Sequence, residues 1–307
     1  MIARPASGSA PAWALAVWLG LVCQEIGAAL AVMLFPAVGA VGMVALRLVF
    51  SAAVLLILAR PTLRGHGGRD WWAVARFGLA IAVMNSLFYL ALDRLALGVA
   101  VTLEVLGPLA LSVVVARRPA AWAWAGLALV GVVALGGGGW GRLDPWGVLF
   151  ALGAAVMWAA YIRAASDVGR AFPKLEGLAL SMVVGSLAVA PFAIVTAGSA
   201  LVRPDILLLG LGVAVLSSAI PYGLELVALR RLHQAAFGIL MSLAPATAAL
   251  AGWILLGQAL SWLEIAGLAT VVVASAGAVL LKPRDVPGEE PSKDPFADTG
   301  PITTSLS

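Results

Sequence analysis

Four ionisable side chains, Glu25, Arg47, Glu104 and Glu225, stand inside otherwise apolar runs of this 307-residue sequence. A charge held in hydrocarbon costs at least ~2.5–3.5 kcal/mol on insertion scales, so each needs a physical reason. Three acids against one base leave two carboxylates without a cation inside those runs. Such an excess is tolerable where the acids take up a proton, face water, or receive a cationic group from a ligand. Each residue also has a plainer role open to it. Glu225 lies about one helical turn from Arg230, where an interfacial ion pair would form. Arg47 can pair with Glu25 or clamp main-chain carbonyls. Glu25 has Gln24 and Gly27 beside it, and Glu104 precedes Gly107-Pro108, which reads as a helix kink.

Neutral polar groups accompany these charges. Asn85 and Tyr89 are four residues apart, as are Ser218 and Tyr222, so each pair occupies one helix face. Pro108, Pro221 and Pro245 each remove an amide N–H and leave a carbonyl that a cavity or water must satisfy. For the serines, close helix packing is the competing explanation and the stronger one. Both histidines, His66 and His233, fall at loop or helix-end positions. No metal-ligand cluster, nucleotide loop or Ser/His/Asp set is visible, so the expectation is no cofactor, no metal, no catalytic residue and no enzyme activity.

The elements that must hold these groups follow from composition. The chain is 62% hydrophobic and 11% charged, with a mean hydropathy of +1.04. A water-exposed surface needs far more charge than that. Apolar residues come in blocks of about 20, the length of a helix crossing a ~30 Å hydrocarbon core. The blocks lack the period-2 alternation of a membrane barrel. Ten spans result, at 13–34, 38–59, 73–92, 97–116, 120–138, 146–165, 177–197, 206–228, 236–256 and 263–281. The first is too long for a signal-peptide core and reads as a retained helix. Residues 1–12 form a polar leader, and 283–307 a polar tail of disordered composition. The lone Cys23 excludes an internal disulfide framework.

With the N-terminus inside, the loops on that side carry fifteen Lys and Arg. The opposite loops carry Arg94, Arg142 and Arg203 alone. Both termini are therefore expected in the cytoplasm. The formal charge of +4 reflects this orientation; no basic face exists to follow nucleic acid. Trp13, Trp71, Trp72, Trp122, Trp140, Trp146 and Trp262 fall at span ends, as headgroup anchors do.

Sliding the chain by 137 residues superposes 88–111 on 225–248 without gaps. Ala91, Leu92, Arg94, Leu95, Leu103, Leu106 and Pro108 coincide with Ala228, Leu229, Arg231, Leu232, Leu240, Leu243 and Pro245. The paired arginines and prolines carry most of the weight. Five spans per half is an odd number, so the halves, 13–138 and 146–282, have opposite orientations. Inverted repeats place a substrate site near the midplane between halves that rock against each other.

Five stretches together resemble the ten-helix, EamA-type branch of the drug/metabolite transporter superfamily, and within it the threonine/homoserine exporters. They are LFPAVGAVGMVALRL (34–48), MNSLFYLAL (84–92), LGVAVTLEVLGPLA (97–110) with Arg117-Arg118, SSAIPYGLELVALRRL (217–232) and FGILMSLAPATAALAGWILLGQ (237–258). The resemblance covers nearly all of 13–282. It implies an all-α protein of the bacterial inner membrane, embedded in the lipid bilayer as monomer or homodimer, that exports small amino acids or related metabolites in exchange for protons. Residue by residue it points to Arg47, Asn85, Tyr89, Glu104, Pro108, Pro221, Tyr222 and Glu225. Arg47 would attract the substrate carboxylate. Glu104, with Glu225 and Glu25, would exchange substrate ammonium for a proton, while Asn85, Tyr89 and Tyr222 shape the pocket. Gly107, Pro108, Pro221 and Pro245 would supply the kinks. The chain departs from the family pattern at Ala244, where a glutamate is usual, and at Val32, where a lysine is common. Export of cationic drugs on the same fold is the rival expectation, and a membrane-embedded enzyme a remote one.

Overall fold

A computed structural model describes residues 10–116, 119–135, 143–173, 175–221, 224 and 234–280. These residues are almost wholly helical, with no strand among them. Helix α1 spans Ala10–Ala59, α2 Gly68–Leu92, α3 Leu97–Glu104, α4 Leu106–Ala116 and α5 Pro119–Leu135. The second half holds α6 (Pro145–Ala171), α7 (Glu176–Ala197), α8 (Pro204–Ala214), α9 (Gln234–Met241), α10 (Ala244–Leu256) and α11 (Trp262–Val279).

Seven helical stretches among the described residues are long and apolar enough to cross a bilayer, and two shorter apolar ones accompany them. One of the seven, Trp13–Ala59, has 47 residues. At 1.5 Å per residue a straight rod of that length would reach about 70 Å, twice the hydrocarbon thickness. It is not straight. Gly39 interrupts it at φ 69°, ψ 168°, a conformation open to glycine and closed to bulkier residues. Ser217 shows that the chain folds back there. A Cβ added at Gly27 would stand 3.0 Å from the Ser217 Cβ, and the Arg47 guanidinium reaches the Ser217 carbonyl at 3.3 Å. Twenty residues along one helix would separate Gly27 from Arg47 by about 30 Å. Thus α1 is a hairpin of two arms, 10–38 and 40–59. The sequence spacing predicts the reversal at 35–37, beside Pro36, but Pro36 stays within the first arm.

Counted this way the described residues make ten helical passes, and their contacts are compatible with an exchange of halves. Helix α5 packs on α11, α3 on α10, and α1 on α7, each pair being equivalent positions of the two repeats. The α2–α6 pairing has its counterpart in α1–α8. The repeat-related prolines act alike. Span four breaks between Glu104 and Leu106, ahead of Pro108, and span nine between Met241 and Ala244, ahead of Pro245. The last helical residues before each break, Glu104 and Met241, are 137 positions apart, which is the offset of the sequence repeat.

Helix α6 runs to Ala171, six residues beyond the predicted end of its span, so Arg170 lies within its last turn and not in a loop. Its polar end carries Asp167, which Arg76 of α2 meets at 3.1 Å. At its start, Asp144 accepts from the Gly147 amide at 2.9 Å and pairs with Arg94 at 3.1 Å. The Gly147 amide first, and Arg94 after it, hold the Asp144 carboxyl below the ordinary aspartate range. The stability this contributes is complete above that range and is lost as pH falls through the lower folded value.

Small residues set the helix spacing. A Cβ on Gly131 of α5 would stand 2.7 Å from the Gly267 carbonyl oxygen, and one on Gly267 of α11 would stand 2.6 Å from that of Gly131. This reciprocal contact lies on the relation between the repeats. Gly131→Val is expected to destabilise the fold by about 1–3 kcal/mol by overpacking. Gly126→Val, on the same helix but with nothing within 4 Å, should be near neutral. Melting of the two purified variants in detergent checks this; equal melting temperatures would contradict the packing.

Candidate functional site

Three of the four charged residues singled out in the sequence, Glu25, Arg47 and Glu104, come together near the second half. Glu25 comes from the first arm of α1, Arg47 from its second, Tyr89 from α2 and Glu104 from the end of α3. Glu25 is 2% exposed, Glu104 8% and Tyr89 fully buried. Both carboxylates lie within electrostatic reach of Arg47, and Glu25 also feels the charge of Glu104. Neither carboxylate has a hydrogen-bond or ion-pair partner among the described residues. Two acids facing one guanidinium leave room for one more positive charge, a proton or an ammonium group.

Arg47 is oriented from both halves. Its Nη1 donates to the Tyr89 hydroxyl at 3.2 Å, and its Cζ stands 5.6 Å from the centre of that ring. Its Nη2 donates to the main-chain carbonyl of Ser217 at 3.3 Å. Ser217 lies just beyond α8. The chain there forms a π-turn, Val215–Ala219, in which the Ile220 amide donates to the Val215 carbonyl. Of the two structural roles the sequence allowed Arg47, the described contacts show the carbonyl clamp.

Asn85 is buried one turn from Tyr89, on the same face of α2. Its amide donates to the Ile81 carbonyl at 2.8 Å, which commits one N–H and leaves the side-chain oxygen and the other N–H available. Pro108 denies the Glu104 carbonyl its helical partner, just beyond the carboxylate-bearing turn. Gly107 is a close-packing position: a Cβ there would lie 1.9 Å from the Ala155 oxygen of α6. Pro221 is buried, and Pro245 opens α10. Tyr222 and Glu225 lie outside the described residues.

Two groups escaped sequence reasoning. The Ser217 carbonyl is a main-chain acceptor, which side-chain patterns do not report. Gln258, whose side-chain oxygen accepts from the Leu97 amide at 2.9 Å and so caps α3 from the other half, left no signal at all.

Comparison with known proteins bears on this geometry. Residues 145–280 match the model of the EamA-like transporter family. The threonine/homoserine exporter RhtA of Salmonella typhimurium (strain LT2) is 39% identical over 279 residues, covering 87% of this chain and 93% of that protein. Its namesake in Escherichia coli (strain K12) is 37% identical over 273 residues, covering 86% and 92%. A crystal structure with 23% identity superposes at a TM-score of 0.61 over 87% of this chain, a likeness of fold. With an all-helical fold rich in membrane-length apolar helices among its described residues, and with this identity along most of its length, the chain belongs to the EamA-like transporters of the drug/metabolite transporter superfamily.

Proposed function

We propose that the protein exports a small zwitterionic amino acid, with threonine and homoserine as reference substrates, across the bacterial inner membrane in exchange for protons. The named relatives support the substrate class. The observation that carries the reading is the gathering of Glu25, Glu104 and Arg47 where the halves meet. A zwitterion matches that set. Its carboxylate meets the Arg47 guanidinium bidentately, and its ammonium meets Glu104. A proton on Glu104 and an ammonium beside it exclude each other, so loading one releases the other. Alternating access then consists of rocking one five-helix half against its inverted partner, with both termini in the cytoplasm.

Purified protein in liposomes preloaded with labelled threonine tests this. External acidification should accelerate threonine release, and a protonophore should abolish the acceleration. The surplus carboxylate is also what a hydrophobic cation would need. Acid-driven release of a cationic dye, with threonine retained, would replace the amino-acid reading by drug export.

A further inference from the structure

The charges around Arg47 do not balance in both loaded states of the site. Glu25 on the first arm of α1 and Glu104 at the end of α3 both feel the Arg47 guanidinium, and Glu25 also feels Glu104. The Tyr89 hydroxyl and the Ser217 carbonyl that orient Arg47 are neutral. With a proton on Glu104, these three ionisable side chains are neutral together. With a zwitterion in place of that proton, its ammonium on Glu104 and its carboxylate on Arg47, the Glu25 carboxylate is left over. Glu25 is 2% exposed and has no hydrogen-bond or ion-pair partner among the described residues. A buried charge without a countercharge is strongly unfavourable. We propose that the site also takes short diamino acids, net cations that place their carboxylate on Arg47, the α-ammonium on Glu104 and the side-chain ammonium on Glu25. The inference rests on the amino-acid reading above and extends its substrate class from hydroxy amino acids to their amino counterparts.

The geometry favours a ligand with three charges over one with two. The acids come from separate elements, Glu25 from within the first arm of α1 and Glu104 from the last residue of α3. Arg47 comes from the second arm of α1 and is held by Tyr89 at 3.2 Å and Ser217 at 3.3 Å. Neither acid closes an ion pair with it among the described contacts, so both remain open to a cation. A simple amine answers one acid and leaves the guanidinium without an anion. A zwitterion answers the guanidinium and one acid. A carboxylate that carries two ammonium groups answers all three. The diamino acid also restores the neutrality of the proton-loaded state. Both steps of the exchange then rearrange the helices around a neutral site, which a low-dielectric slab favours.

Homoserine and α,γ-diaminobutyrate share one chain length and differ at its end, a hydroxyl against an ammonium. Displacement of labelled threonine from the purified full chain in lipid nanodiscs compares them. On the wild type, α,γ-diaminobutyrate should displace threonine at a concentration about ten- to a hundredfold lower than homoserine, as a charged hydrogen bond predicts. In Glu25→Gln that advantage should disappear, because glutamine offers no charge to the second ammonium. If α,γ-diaminobutyrate is no better than homoserine on the wild type, the proposal is overturned whether or not the variant folds. An advantage that survives in Glu25→Gln overturns it too. In either case amino-acid export stands, with Glu25 holding a proton beside the zwitterion. Homoserinamide, a net cation without a carboxylate, separates the two readings. Should it displace threonine as well as α,γ-diaminobutyrate does while homoserine fails, the amino-acid reading falls and the inference with it. Wild-type liposomes preloaded with labelled α,γ-diaminobutyrate should release it; binding without release makes it an inhibitor and overturns the proposal.

Discussion

Glu104→Gln is expected to leave the protein folded and to reduce proton-driven threonine release by about 100-fold, the upper range of coupling between two bound ligands. Glutamine fills the volume of glutamate and keeps an oxygen and a donor in place, but it neither takes nor gives up a proton. Substrate and proton then no longer compete. In the wild type, threonine binding should weaken as pH falls, because the added proton occupies the group that the ammonium needs. In the variant this pH dependence should vanish. Binding of labelled threonine between pH 5 and pH 8, set beside release from acidified liposomes, reads both effects in one preparation. Undiminished proton-driven release would remove Glu104 from the coupling step and leave Glu25 to carry it.

The choice between the two acids rests on where each stands. Glu25 is the more enclosed, on the first arm of α1 amid the packed core. Glu104 closes α3 at the break before Pro108. A carboxylate at the end of a kinked segment moves with the kink, whereas one in the middle of a continuous helix moves only with the whole helix. Alternating access needs a proton-binding group that changes its surroundings between states. Glu104 has the local means to do so.

The parts of this arrangement that were legible in the sequence are those in which a residue type contradicts its surroundings. Charges in hydrocarbon announce Glu25, Arg47 and Glu104, because nothing but a partner or a function offsets their insertion cost. The repeat was readable at Pro108 and Pro245, whose missing amides break spans four and nine at matching points. Other features were hidden because sequence patterns report side chains and not main-chain acceptors. Arg47 finds Ser217 through its main-chain carbonyl. The reversal of α1 falls at Gly39 and not beside Pro36 because the turn demands φ 69°, whereas a proline in a membrane helix merely leaves one carbonyl short of a partner. Hydropathy ended span six at 165 because it senses the apolar slab alone. The helix continues to Ala171 as a polar extension tied to α2 by Asp167.

Gly107 illustrates the same limit and yields the largest expected effect on stability. Its place before Pro108 suggests a flexible hinge, but its surroundings impose a tighter requirement. A Cβ at this position would lie 1.9 Å from the Ala155 oxygen, 2.6 Å from its carbonyl carbon and 3.0 Å from its Cα. All three are main-chain atoms of α6, so no side chain can swing aside. Ala151 and Ala154 are fully buried nearby on α6, and their small side chains help the two helices approach. Adding one methyl group must therefore push α4 away from α6 by more than 1 Å. Gly107→Ala should destabilise the protein by about 3 kcal/mol or more, at the upper end of overpacking penalties. Melting in detergent should fall by about 10 °C. Gly169→Ala, also on α6 but with open space around it, should melt at or slightly above the wild-type temperature, since alanine is the better helix former. If Gly107→Ala melts within about 2 °C of wild type, α4 is not seated on Ala155. In that case the backbone turn that carries Glu104 is not braced against the second half, and the geometry proposed for proton exchange loses its support.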